Sequence, residues 1–168
     1  MTAKKTTQPT SAGAPRSIAP EVAEQVAEQL TPVVIDLMAL ATDGKQAHWH
    51  VRGPAFQDVH ELLDVVVVNA RNAADLAAER VIAMGAAIDA RSGTVGKKAT
   101  TPAIAEGFLT TEQAITEIVG VIDATLVTVR AAIDALEEID PVSQDTAIQI
   151  AAGLDKDRWF LAAHLPTS

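Results

Sequence analysis

The chain has 168 residues, 48% of them apolar, no cysteine and a formal net charge of −9. That length supports one buried domain core and is short for two, and the lack of cysteine excludes disulfides, thiolate metal sites and cysteine nucleophiles. No run approaches the roughly 18 apolar residues of a membrane span and no signal-peptide core opens the chain, so the reading is a cytoplasmic protein with no membrane partner.

The charge is unevenly placed. Residues 1–19 carry Lys4, Lys5 and Arg16 with no acid, which leaves −12 for residues 20–168. Residues 1–16, MTAKKTTQPTSAGAPR, hold almost nothing to bury and read as a flexible basic N-terminal tail; residues 17–168 form the folded domain. Ser17-Ile-Ala-Pro20 before EVAEQVAEQL is a helix start, and Thr31-Pro32 reads as a restart with Thr31 as N-cap and Pro32 at the first helical position. The first helical region is therefore expected in two pieces. From Val33 to about His50, Val34, Leu37, Met38 and Ala41 recur at helical spacing, with Gly44 counting against the run. Arg52-Gly53-Pro54 ends it.

A second long helix is expected from about Ala55 to Ala87, its context outweighing the poor helix propensity of VVVV at 65–68. Residues 89–110 hold three glycines, a proline and two lysines and read as a long connection with one short helical turn around Pro102–Ala105. A third helix runs from about Thr111 to Glu138. Asp140-Pro141 and Ser143 punctuate, and a fourth follows to about His164, closed by Leu165-Pro166. A connection of about 22 residues is unusual inside a compact domain. Extended, it reaches about 70 Å, against about 45 Å for a 30-residue helix. It can therefore return along the bundle and leave helices two and three parallel, which predicts an all-α, ferritin-like four-helix bundle with one long crossover.

Three of the four histidines fall in HWHVRGPAFQDVHELLD, residues 48–64. On a helix of about 100° and 1.5 Å per residue, Asp64, Asp75 and Glu79 lie about 40°, 60° and 100° from His60. Four metal-competent side chains thus share one face of a largely apolar helix, a costly stripe to bury unless something neutralises it. His60 and Asp64 are one turn apart, as are Asp75 and Glu79, but about 16 Å of helix separates Asp64 from Asp75. One chain cannot close the site. A two-fold axis can, with the helix antiparallel to its copy and the His60–Asp64 pair of one chain facing the Asp75–Glu79 pair of the other. His48 is placed to join the His60–Asp64 half. Imidazoles and carboxylates without sulfur suit iron(II) or zinc better than calcium or copper(I).

KQAHWHVRGPAFQDVHELLD with DLAAER at 75–80 resembles the Dps family of miniferritins. His48, Trp49, Gly53, His60, Asp64, Asp75, Glu79 and Arg80 match that family's pattern, and the similarity spans about residues 30–165, including LDKDRWFLAAHL at 154–165. The resemblance implies a hollow shell of twelve subunits built from two-fold dimers. It also implies a ferroxidase site that oxidises Fe(II), preferably with hydrogen peroxide, and storage of the Fe(III) mineral inside. The ligands would be His48, His60 and Asp64 from one chain with Asp75 and Glu79 from its partner, holding one or two irons, for which zinc or another divalent ion can substitute. Trp49 and Trp159 resemble tryptophans that take up oxidising equivalents near the site in relatives; for Trp159 simple packing in the bundle is the competing reading. There is no tyrosine to share that role.

Glu137, Glu138, Asp140 and Asp145 are candidates for an iron-attracting pore, against a solvated acidic corner. Lys4, Lys5 and Arg16, repeated on twelve tails, make non-specific, salt-sensitive DNA binding and nucleoid association one reading of the tail, against an acidic body that repels DNA and a tail with no partner. His50 is read as hydrogen-bonding at the helix end, against a role as a further ligand or proton relay, and His164 has no evident partner. Two further functions stay open: a metal-dependent hydrolase of amides or esters, although HELLD at 60–64 departs from HExxH at Asp64, and a mainly DNA-compacting shell. Iron-dependent peroxide consumption separates the first reading from both.

Overall fold

The computed structural model describes residues 18–166; the tail and the Ser17 start lie outside them. Helices α1 (Pro20–His50), α2 (Phe56–Met84), α4 (Thr111–Leu136) and α5 (Pro141–Ala162) form the bundle, with a short α3 (Ser92–Lys98) in the crossover. Two two-residue strands, β1 (Val51–Arg52) and β2 (Leu109–Thr110), precede α2 and α4 and pair in parallel, Val51 opposite Leu109 and Arg52 opposite Thr110. Helices α2 and α4 therefore start at the same end of the bundle, and residues 85–110 must travel its length. The expected ferritin-like crossover topology is the one found. Leu30, Leu37, Leu40, Leu63, Ile115, Ile118, Ile122 and Leu136 are fully buried along the bundle axis, the single apolar core that the helical spacing demands.

Three local expectations need correction. Helix α1 runs unbroken through Pro32, and Thr31 is not a cap: its hydroxyl donates to the Ala27 carbonyl at 2.6 Å. Proline removes one helical hydrogen bond, but Val26, Leu30, Val33 and Val34 are buried on both sides of it, so packing carries the helix across. The helical turn in the crossover is α3, not Pro102–Ala105. Asp89 accepts from the Arg91 amide at 3.2 Å and the Thr94 hydroxyl at 2.8 Å, an aspartate-led start that sequence spacing alone underrated. The amide of Ala105 is instead taken by Glu117 at 2.8 Å. The outer ends of α2, α4 and α5 also fall two or three residues inside the expected ones.

The crossover is fastened by Asp36, 1% exposed. Its carboxylate accepts from the Thr100 amide and hydroxyl at 2.8 and 2.7 Å and from the Thr128 hydroxyl at 2.6 Å, which ties α1, α4 and the crossover together. Gly44, an apparent flaw in α1, is a close-approach point: a Cβ there would sit 3.1 Å from Val67 Cγ2 of α2. No described helix is long and apolar enough to cross a membrane.

Candidate metal centre

The turn from α1 into α2 is tight. Gly53 has φ +113°, and Ala55, just before Phe56, takes the left-handed conformation at φ 56°, a cost that a rigid surround must offset. The result is that His48 and His60 stack, ring centroids 3.6 Å apart. Each ring is fixed by the other's backbone: His48 Nδ1 donates to the His60 carbonyl at 2.8 Å, and His60 Nδ1 to the His48 carbonyl at 2.9 Å. A carbonyl only accepts, so both Nδ1 atoms carry a proton, and in the neutral ring this leaves the lone pair on Nε2. In metal sites a hydrogen bond of this kind, to the nitrogen that does not bind the ion, fixes the orientation of a histidine ligand. His48 is 6% exposed, and Phe56 flanks His60 with ring centroids 5.0 Å apart.

Asp64 completes this end. Its Oδ2 lies 3.6 Å from His48 Nε2, and its Oδ1 accepts a hydrogen bond from Lys45. The hydrogen bond from the Lys45 ammonium, reinforced by its charge, outweighs the effect of burial and holds the Asp64 carboxyl below the usual carboxylate range. Lys45 was not singled out by sequence. It stands three residues before His48, on the same helix face, and that spacing was the available signal.

Asp75 and Glu79 are exposed on the outer strip of α2, at the opposite end of the stripe from His60. Among the described residues, no three His, Asp or Glu side chains of one chain meet closely enough to hold a metal ion. One chain brings His48 against both His60 and Asp64 and leaves Asp75 and Glu79 apart. Around these carboxylates the strip is apolar and solvent-facing, with Val65, Val68 and Leu76 each about half exposed.

Helix α2 is held from behind near Glu79. The next residue, Arg80, donates to Asp140 at 2.6 Å and to the Ser143 hydroxyl at 2.9 Å, while Asp140 caps α5 by accepting from the Ser143 amide at 2.8 Å. Burial pushes the Asp140 carboxyl up, but the Ser143 and Arg80 hydrogen bonds outweigh it and leave it below its ordinary range. Asp140 thus belongs to a structural cluster rather than standing as a free pore acid; Glu137, Glu138 and Asp145 are exposed. Neither tryptophan is packed in the bundle: Trp49 is 64% and Trp159 65% exposed, so packing inside this chain does not account for Trp159. His50 Nδ1 donates to the Gln46 carbonyl at 2.9 Å at the end of α1, and His164 is exposed.

Comparison with known proteins places the chain in a family. The ferritin-like domain family model matches residues 27–167. A solved structure, Dps from Microbacterium arborescens in the high iron form, is 53% identical with a TM-score of 0.84, over 87% of this chain and 95% of that one. The DNA protection during starvation protein of Agrobacterium fabrum is 35% identical, over 79% of this chain and 80% of its own length. The protein of that name from Mycolicibacterium smegmatis is 34% identical, over 74% of this chain and 68% of its own length.

Proposed function

Because the chain belongs to the Dps family of ferritin-like proteins, a family of iron storage and DNA protection, we propose that it oxidises Fe(II) at sites shared between two-fold-related chains. Hydrogen peroxide is the preferred oxidant, and Fe(III) is stored as mineral inside a twelve-subunit shell. The observation that carries this reading is the stacked His48–His60 pair, with both Nδ1 protons tied to carbonyls and His48 Nε2 lying 3.6 Å from Asp64. Such a half-site needs more carboxylates. A copy of the same helix supplies them: residues 60 and 79, and 64 and 75, share one midpoint in sequence, so a single antiparallel register brings both pairs together at once.

In that arrangement His48, His60 and Asp64 of one chain and Asp75 and Glu79 of the other bind the Fe(II) substrate. Two Fe(II) ions give up one electron each and peroxide accepts both. Its O–O bond breaks, two protons are taken up, and both oxygens leave as water with no hydroxyl radical released. Trp49, which follows His48 in sequence and is exposed in the single chain, takes up stray oxidising equivalents. The acidic body draws Fe(II) toward the shell.

The test is anaerobic loading with about two Fe(II) per subunit, as peroxide's two-electron demand requires, followed by peroxide or dioxygen with radical trapping. Fast oxidation by peroxide with little trapped radical is expected. Oxidation no faster than that of free iron, or unchanged in His60→Ala/Asp64→Ala, sinks the reading. The same preparation settles the DNA question: gel-shift retention of DNA that weakens with salt and is lost on removal of residues 1–16 supports a DNA partner, and no retention at low salt removes it.

A further inference from the structure

The stripe on α2 holds one cation. Arg71 lies about 20° from His60 around the helix, between Asp64 and Asp75. It is exposed and forms no ion pair among the described residues. Beside it the surface is hollowed: a depression of about 460 Å³ is lined by Lys45, Asp64, Val65, Val68 and Arg71, among others. Val68 is 54% exposed there, an apolar floor with no cover in the single chain.

The register that brings His60 to Glu79 and Asp64 to Asp75 also brings Val68 to Arg71. Each Arg71 then lies over the partner's Val68, its aliphatic stem filling the hollow. Along the helix it stands about 6 Å from its own Asp75, and at the same level it faces the turn leading to the partner's Asp64. These are the two inner carboxylates of one metal site. The occupant of the hollow is therefore a second copy of this chain, on grounds of self-complementary spacing and of a cation meeting carboxylates.

We infer that Arg71 closes the dyad-side end of the site formed by its own Asp75 and Glu79 with the partner's His48, His60 and Asp64, where it competes with incoming Fe(II) for the two inner carboxylates. This rests on the shared-site reading above. Each site then contains three carboxylates and two cations, Lys45 and Arg71, which leaves one net negative charge. One divalent ion reverses that charge and a second adds to it, so the arrangement favours a single tightly held ion and makes the next one weak. Lys45 restrains Asp64 from within its own chain, and Arg71 acts from the other. When the site is empty, the same two cations keep the carboxylates from repelling one another.

The test uses the full-length assembled protein and two measurements. The first needs no metal. The chain has no cysteine, so Arg71→Cys introduces one thiol per chain, and a short bis-methanethiosulfonate reagent should link chains into covalent dimers. Failure to link them overturns the register and the inference with it. The second is a calorimetric titration with Zn(II), a redox-silent probe. Arg71→Gln, and Arg71→Met, which keeps the stem over Val68, should bind about tenfold tighter than the unsubstituted protein, as expected from removing a nearby cation at an interface. Arg71→Lys should restore weaker binding. Affinity unchanged in both neutral variants overturns the role of Arg71 while the shared site stands. Absence of Zn(II) binding in the unsubstituted protein, even with cross-linked dimers, removes the shared-site reading itself and Arg71's role with it.

Discussion

The two ends of α2 carry the same kind of chemistry in opposite states of preparation. At the His60 end the proposed ligands are arranged within one chain: stacked rings, Nδ1 protons tied to carbonyls, and a carboxylate held by Lys45. At the Glu79 end two carboxylates stand in solvent, and only the backbone beneath them is secured, through Arg80, Asp140 and Ser143. The difference shows which half costs more to build. Imidazoles must be oriented and desolvated before they are useful, whereas carboxylates on a rigid helix need only be delivered at the right height. A shared site lets one strip of surface act both as interface and as ligand set.

The largest expected effects come from destroying either end. His60→Ala/Asp64→Ala and Asp75→Ala/Glu79→Ala should each lower Fe(II) affinity by at least about a hundredfold, since they remove ligands and not merely their supports. Their stabilities should diverge. Losing the His60 ring, packed against His48 and Phe56, should cost about 1–2 kcal/mol, while trimming Asp75 and Glu79 should leave the thermal midpoint of the single chain unchanged or raised. Equal losses of stability at both ends would contradict the contrast.

Next comes the support under Glu79. Asp140→Ala removes the α5 cap and the partner of Arg80, and should destabilise by about 1–2 kcal/mol, measured by denaturant unfolding. The pH dependence has a definite sign. The folded-state value of Asp140 is depressed, so its contribution is complete above the ordinary carboxylate range and is lost as pH falls through the depressed value. The variant should therefore match the unsubstituted protein only in strong acid.

Lys45→Gln probes the prepared end more gently. With the ammonium gone, the Asp64 carboxyl should return toward its ordinary range, and the lower pH limit of metal binding should move upward. At neutral pH affinity should rise several-fold, because a competing cation has been removed. A titration of Zn(II) binding between acid and neutral pH checks both directions.

The smallest effect is expected midway along α2. Asn69 donates to Asp157 at 2.8 Å, and Asp157 is only 4% exposed; burial pushes its carboxyl up against that hydrogen bond. A raised acid binds its proton more tightly when folded, so the penalty is complete above the raised value, shrinks as pH falls below it, and is gone below the ordinary carboxylate range. Asp157→Asn should stabilise the chain at neutral pH by under about 1 kcal/mol, with no change in acid. Thermal melts at two pH values decide it.

Much of this was legible in the sequence because it depends on spacing along one helix. His60, Asp64, Asp75 and Glu79 fall on one face by arithmetic, and the length of residues 89–110 fixes the crossover. What escaped depends on contacts between distant segments. Thr31-Pro32 looks like a break because the rule for proline is local, while the core that carries α1 through it comes from the other helices. Asp36 could not be matched to Thr100 and Thr128 without the folded crossover, and Asp140 reads as one acid among several until Arg80 is seen across from it. Gly44 counts against a helix by propensity, and the tight approach of Val67, 3.1 Å from where a Cβ would sit, is seen only in the fold.

The central claim is that each site takes its histidines from one chain and two carboxylates from the other. It is tested most directly by co-assembling two inactive variants, His60→Ala/Asp64→Ala and Asp75→Ala/Glu79→Ala, and measuring peroxide-driven Fe(II) oxidation. Each variant alone should be inactive. In a mixed dimer one site receives both damaged halves and the other both intact halves, so random mixing should recover about a quarter of the unsubstituted activity. No recovery from mixed assemblies of confirmed composition would contradict the shared site.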